Sequence, residues 1–169
     1  MARRKATAAR PSAEPIALDD IDRKILAALQ DDGRLTNLEL AARVGLSPPP
    51  CLRRVRRLRE AGVIARDVAL VDPAKVGQTV IAFVGVELDR QREDVLASFE
   101  RKIAAEPQVQ QCYFVSGETD YLLVVTCRDM EDYNQFARRV LANEHNIKRF
   151  RTSFNLSRIK YETRIPLPD

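Results

Sequence analysis

The spacing of apolar residues changes character part-way along this chain, and that change constrains the fold more than any other feature. In the first part the apolar positions recur three and four apart, as one face of an α-helix requires: Ile21, Ile25, Leu26 and Leu29, then Leu38, Leu40, Ala41 and Val44, then Cys51, Leu52, Val55 and Leu58. From residue 79 short runs rich in β-branched residues take over, TVIAFVGVEL at 79–88, VQQCYFV at 109–115, YLLVVTC at 121–127 and a longer run at 147–159. Helical spacing returns only between those runs, at 92–105 (Val95, Leu96, Phe99, Ile103) and at 130–141 (Tyr133, Phe136, Ala137, Val140). A helical bundle cannot hold the second pattern and a lone sheet cannot hold the first. Two domains are therefore expected in the 169 residues, at 16–71 and 79–163. Asp72, Pro73 and the polar stretch 75–78 read as a linker over 72–78, with a flexible basic arm at 1–15 and a short tail at 164–169.

In the first domain, Asp19 or Asp20 can cap a first helix, which Asp31, Asp32 and Gly33 end in a turn. Thr36 or Asn37 opens a second helix and Gly45 closes it with a left-handed residue. Ser47 can cap a third helix, Pro48 suits its first turn, and Gly62 stops it after about residue 61. Three short helices with a tight glycine turn between the last two make a helix-turn-helix. Val63, Ile64, Val68, Leu70 and Val71, bent at Arg66 and Asp67, are expected to form a β wing. The second domain orders its elements β-α-β-β-α-β, the ferredoxin-like pattern of a four-stranded antiparallel sheet with both helices on one face. The fold class is thus α+β. The sheet's other face has no helix to cover it, which predicts self-association into at least a dimer.

Charge follows the same division. Residues 1–66 hold 14 Lys/Arg against 8 Asp/Glu, whereas 67–169 hold 14 against 16, so a basic front precedes a slightly acidic rear. The basic residues concentrate in the third helix as Arg53, Arg54, Arg56, Arg57 and Arg59. At about 100° per residue, Cys51, Leu52, Val55 and Leu58 face the core. Arg53 and Arg57 then point away, with Arg54 and Arg56 on the flanks. A merely solvated face interleaves carboxylates for i,i+4 pairing, yet Glu60 is the only one here. On a helix-turn-helix such a face suits phosphate neutralisation and bidentate guanine readout. Arg3, Arg4, Lys5 and Arg10 in the arm are basic too, although an inert tail is the plainer reading of that segment.

Other functions find little support. No apolar run is long enough to span a membrane and the N-terminus lacks the apolar stretch of a secretory signal, so a cytoplasmic protein is expected. The three cysteines, Cys51, Cys112 and Cys127, show no metal or disulfide spacing and read as small buried apolar residues. His145 stands alone, with neither HxxH nor HExxH around it, so no metal or cofactor is expected. Phosphate loops and nucleophile elbows are absent, and the carboxylates form no acid–base constellation, so the chain does not read as an enzyme.

The collinear stretches LDDIDRKILAALQDDGRLTNLELAARVGLS, PPPCLRRVRRLREAGVI, VSGETDYLLVV, DMEDYNQF and TSFNLSRIK resemble the leucine-responsive/asparagine-responsive (Lrp/AsnC) family of transcription regulators over residues 17–163. The resemblance implies a winged helix-turn-helix joined to a ligand-sensing domain, acting on double-stranded DNA as paired heads. It also implies homodimers that often assemble into octamers or other higher forms, and a small effector, commonly an amino acid, lodged between neighbouring sensing domains. Carried over position by position, it points to Ser47, Pro49, Pro50, Arg53, Arg54 and Arg57 for DNA. For the effector it points to Gly117, Thr119, Asp120, Met130 and Phe154, with Glu118 and Ser153 nearby. Those residue types fit an amino acid: Gly117 can leave amides free for the α-carboxylate, Asp120 can accept from the α-ammonium, and Met130 and Phe154 can receive an apolar side chain. From the residues alone, Gly117 and Asp120 equally well shape a strand-to-strand turn. The expected function is a sequence-specific, effector-tuned transcription regulator. An architectural DNA compactor is the alternative, followed by a small amino-acid-binding enzyme.

Overall fold

The computed structural model describes residues 16–168. The basic arm at 1–15 lies outside the described residues. The chain divides into two units, a sheet unit over Val71–Ile159 and a helical unit that ends at Leu70 and regains the chain from Lys160 onward.

The helical unit contains α1 (Asp20–Asp31), α2 (Asn37–Val44) and α3 (Pro48–Glu60). Each start has a local chemical cause. Asp19 caps α1 in a two-way box, its Oδ1 accepting from the Asp22 amide at 2.8 Å while Asp22 Oδ2 accepts from the Asp19 amide at 3.2 Å. Thr36 and Glu39 do the same for α2, and Gly45, at φ 75°, ends it. Ser47 occupies the cap position of α3, but its side chain makes no capping bond. The expectation that it would cap fails because the amides it needs belong to Pro48, Pro49 and Pro50, which have no N–H. Ile25, Leu26 and Ala28 of α1, Leu40, Ala41 and Val44 of α2, and Cys51, Val55 and Leu58 of α3 form the core. Leu38 and Leu52, expected in the apolar stripes, stand 68% and 37% exposed.

One further expectation is revised in this unit. No strand forms over 63–71; Val68 and Leu70 stand exposed without a cross-strand partner. The amides of Val63 and Ile64 instead both fold back onto the Leu58 carbonyl, at 2.9 and 3.1 Å. The tail, by contrast, is tied down. Gln30 exchanges two hydrogen bonds with the Ile165 backbone (2.7 and 3.1 Å), Arg23 Nε donates to the Pro168 carbonyl at 2.8 Å, and Arg164 pairs with Asp31. Leu167 packs half-buried against the core of the three helices.

The sheet unit runs β1 (Val80–Leu88), α4 (Glu93–Ala105), β2 (Val109–Phe114), β3 (Tyr121–Cys127), α5 (Met130–Phe136) and β4 (Ile147–Phe154). A 3₁₀ turn at Pro73–Val76 precedes β1, and α5 continues as a π-helical segment over Ala137–Ala142, whose wider turn sends the adjacent Val140 and Leu141 both into the core. Strand order is β2-β3-β1-β4 with every pairing antiparallel, the ferredoxin-like arrangement expected. Alternation along β1 buries Ala82, Val84, Val86 and Leu88 with Phe99, Ile103, Phe136 and Val140. The opposite face presents Ile81 and Phe83 of β1, Leu122 and Val124 of β3, and Tyr113 of β2; Phe83, Leu122 and Tyr113 are exposed. β4 ends at Phe154 rather than near residue 159. The Asn155 amide reaches the Ile81 carbonyl, and past that point β1 offers no partner.

Candidate nucleic-acid interface and effector site

The arginines of α3 are sorted by what lies behind them. Arg53 and Arg56 are exposed and make no hydrogen bond or ion pair with the described residues. Arg54 is different. Its Nη1 donates to Asp19 Oδ2 at 2.6 Å and to Asp22 Oδ1 at 2.9 Å, leaving the side chain only 28% exposed. Arg57 Nη2 also donates to Asp22, through Oδ2, but keeps half its side chain in solvent. Arg59 pairs with Asp67 at 3.1 Å. Of the residues predicted to face DNA, Arg53 stands free, Arg57 is held from one side, and Arg54 is drawn back against α1. Asp22 was not foreseen. It lies on the apolar side of α1, one turn before Ile25 and Leu26, and is the one charged group buried among the described residues. The sequence signal was Asp19-x-x-Asp22, a capping spacing with Asp where Glu or Gln is usual. The Asp22 amide and then Arg54 hold the Asp19 carboxyl below its ordinary value, while Asp19 and Asp22 raise the Arg54 guanidinium.

Ser47 and Pro49 are exposed and Pro50 is partly covered at the start of α3. Three prolines there remove the amides through which a helix N-terminus grips phosphate, and the Cys51 amide already bonds the Ser47 carbonyl. Contacts from this end must come from side chains such as the uncommitted Ser47 hydroxyl. The α2–α3 turn itself is fixed by Asn37, whose Nδ2 donates to the Pro48 carbonyl at 2.9 Å.

The effector candidates fall into two groups. Gly117, Glu118, Thr119 and Asp120 form the turn between β2 and β3, beside Val86, and Gly117 adopts φ 131°. Asp120 is structurally committed: its amide donates to the Val86 carbonyl, Oδ2 accepts from the Leu88 amide at 2.7 Å and Oδ1 from Gln91 Nε2 at 2.6 Å. Thr119 lies over Gly85 of β1, where a Cβ would come within 2.9 Å of its methyl group, so the close approach of turn to sheet needs that glycine. Glu118 is exposed opposite Arg151 at 3.6 Å. The hollow beside these residues, bounded by Gly85, Glu87 and Arg149, holds about 10 Å³, room for a single water.

Met130 and Phe154 sit at the other end of the sheet. Phe154 pairs with Ala82 in register and packs edge-on against Tyr133, centroids 4.9 Å apart, one helical turn from Met130. Ser153 pairs with Phe83 on the open face. Four strand residues separate the Val86 and Ala82 ends, about 13 Å. Phe154 faces the helices, whereas Thr119 covers Gly85 on the open side. One subunit therefore does not bring the two groups around one amino acid. A larger hollow lies elsewhere in the unit, an open cleft of about 340 Å³ lined by Gln78, Gln108, Arg128, Asp132 and Arg139 among others. Its arginines are engaged, Arg128 with Asp132 and Arg139 with Glu106 and Gln108.

Cys51 and Cys127 are buried as expected, but Cys112, on edge strand β2, is exposed as a residue. Burial of its thiol and the neighbouring Glu100 carboxylate still push its pKa up to about 11, and burial does the same for Cys127. Neither thiol ionises near neutral pH. His145 is exposed, and no cluster of metal-ligating side chains occurs among the described residues. No helix among them is long and apolar enough to cross a membrane.

The Lrp/AsnC ligand binding domain family matches residues 81–165, and a winged helix-turn-helix DNA-binding family matches residues 18–65. The chain belongs to the Lrp/AsnC family. It is a DNA-binding transcription regulator of that type. The leucine-responsive regulatory protein of Rhizobium meliloti is 43% identical over 145 residues, 86% of this chain and 93% of the relative. Among solved structures, a transcriptional regulator of Neisseria meningitidis in complex with L-Met shares 40% identity at a TM-score of 0.84, covering 89% of this chain and 97% of the other. A feast or famine regulatory protein of M. tuberculosis complexed with L-methionine shares 35% identity at 0.79, covering 90% and 100%. In the Lrp/AsnC frame, α2 and α3 are the helix-turn-helix and the four-stranded sheet belongs to the sensing domain.

Proposed function

We propose that this Lrp/AsnC regulator reads DNA in a sequence-specific way through α3, as a homo-oligomer, and is tuned by an amino acid. The observation that carries the first part is the split within α3: Cys51, Val55 and Leu58 are buried while Arg53 and Arg56 stand in solvent, unpaired among the described residues. Guanidinium groups with no partner among the described residues can exchange counterions for phosphates or fork onto guanine. Selecting duplexes from a randomised pool and comparing the winner with a scrambled duplex at equal salt tests the reading. A preference of at least 100-fold supports regulation, and equal affinity supports a compacting role instead.

Self-association is supported by the open face of the sheet, where Phe83, Tyr113 and Leu122 are 41%, 50% and 37% exposed around Ile81 and Val124. A second copy stacked on this face would bury them. Light scattering should give at least a dimer, and Phe83→Asp should shift it to monomer.

The amino-acid role is supported by the two L-Met complexes among related structures and by the division of the candidate residues into two ends. Neighbouring subunits can place the Gly117–Asp120 turn of one opposite the Met130 and Phe154 end of another. Asp120 then acts mainly as the brace of that turn. Thermal-shift measurements with L-methionine and the other proteinogenic amino acids test this, because a ligand bound only by the folded state raises the midpoint. No shift with any of them would overturn the effector role. We assign no catalytic activity, and the cytoplasm, where the DNA is, is the proposed place of work.

A further inference from the structure

We infer that Asp22 is a positioning residue for DNA recognition: from inside the helical core it locks Arg54 and presents Arg57. The inference rests on the reading of α3 as the DNA-contacting helix. A carboxylate 1% exposed within an apolar core is expensive unless it is paired and fully hydrogen-bonded. Asp22 meets that condition by using both oxygens outward. Oδ1 accepts from Arg54 and Oδ2 from Arg57, while Oδ2 also accepts from the Asp19 amide. One side chain thus closes the N-terminal box of α1 and ties two successive turns of α3 to it.

The two arginines come out of this arrangement unequal. Arg54 has two carboxylate partners, Asp19 and Asp22, and is three-quarters covered, so its charge is spent inside the protein. Arg57 has one contact and remains 51% exposed. A guanidinium carries five donors in a planar fork. Held through Nη2 alone, Arg57 keeps its remaining donors in solvent and loses most of its freedom to rotate. A pre-oriented planar fork favours one base edge over others, whereas a freely rotating cation binds any phosphate. Asp22 therefore converts two of the helix's five charges from general attraction for polyanions into one anchor and one aimed donor set.

The test uses the full chain and two duplexes, one selected by the wild-type protein from a randomised pool and one scrambled. In Asp22→Asn the box on α1 can still close, but the negative charge is gone. Selectivity between the duplexes should fall at least 10-fold, and the dependence of log Kd on log salt for the scrambled duplex should steepen by about one phosphate's worth as the arginines are released. An unchanged ratio and slope, or a loss of affinity on both duplexes that only tracks a loss of folded protein, overturns the inference. Arg57→Lys keeps the charge and removes the fork, which guards against a variant that fails to fold. It should lower selectivity at least 5-fold without changing the scrambled-duplex slope, and wild-type selectivity in Arg57→Lys overturns the inference on its own. Arg53→Ala separates the two levels. Undiminished affinity there, for both duplexes, removes α3 from the interface and the role of Asp22 with it; reduced affinity with an unaltered Asp22→Asn removes only the latter.

Discussion

In the sheet unit the buried apolar side chains between Ala82 and Leu141 form one continuous cluster; in the helical unit a cluster of nine buried apolar residues is accompanied by one buried carboxylate, Asp22. The sheet is specified by non-local pairing, and a register slip of one residue would turn Ala82, Val84 and Val86 to the open face. The helical unit has no such pairing and, at roughly 60 residues, little core to spend. It is held by chemistry at its ends instead: two capping boxes, the Asp22 clamp, and a tail returning from the far end of the chain. A carboxylate-centred joint also does what apolar packing cannot, since it fixes where charged groups on the surface point. The difference suits a unit that must present arginines and one that must hold a face.

The contrast can be broken from either side. Phe136 is 1% exposed in the sheet-unit core, and Phe136→Ala should cost about 3–5 kcal/mol in urea denaturation. Tyrosine near-ultraviolet signals from the sheet unit should weaken with it, because Tyr121 and Tyr133 share that core. Asp22→Ala removes the clamp and should cost about 2 kcal/mol, less than a cavity of that size because Arg54 and Arg57 can turn to water. Deleting the tail from Arg164 onward removes the Leu167 contact, the Gln30 bonds and the Asp31 pair, and should cost about 1 kcal/mol, read as faster hydrogen exchange in α1.

The smallest effect expected is on acid stability. Asp19, Asp32 and Glu39 in the helical unit, and Glu87 and Asp132 in the sheet unit, all have carboxyls held below their ordinary values, chiefly by backbone amides or neighbouring Thr, Lys and Arg groups. Because the folded values are depressed, their stabilisation is complete above the ordinary 3.8 and 4.5 and is lost as pH falls through the lower folded values. Asp19 and Glu39 are solvent-exposed and Asp32, Glu87 and Asp132 partly so, and salt should weaken the effect most at the exposed groups. A thermal midpoint flat above about pH 5 and declining below it is expected, and a decline that begins near neutrality would contradict the assignment.

Much of this architecture was legible in the chain because period and punctuation carry it. Gly45, Thr36 and the alternation in 79–88 point to the same elements that form. What escaped depends on partners distant in sequence. Residues 155–159 look like strand, but β1 begins too late to pair with them. Leu38, at a helical apolar position, has no neighbour to cover it. The run after α3 lacks a glycine turn and forms no hairpin. Ser47 has the right identity for a cap and the wrong neighbours, a conflict visible in PPP once donors are counted. The tail meets α1 across more than 130 residues, and nothing local announces it. At the candidate sites, residue types were readable while commitments were not: Arg54 and Asp120 look available in sequence and prove occupied by Asp19, Asp22, Leu88 and Gln91.

The most direct test of the account is the salt dependence of DNA binding by Arg53→Ala/Arg56→Ala beside wild type. With two unpaired cations removed from α3, the slope of log Kd against log salt should fall by about two, at an unchanged thermal midpoint and oligomer size. A slope and affinity equal to wild type would mean that DNA meets some other surface, and the reading of α3 would be wrong.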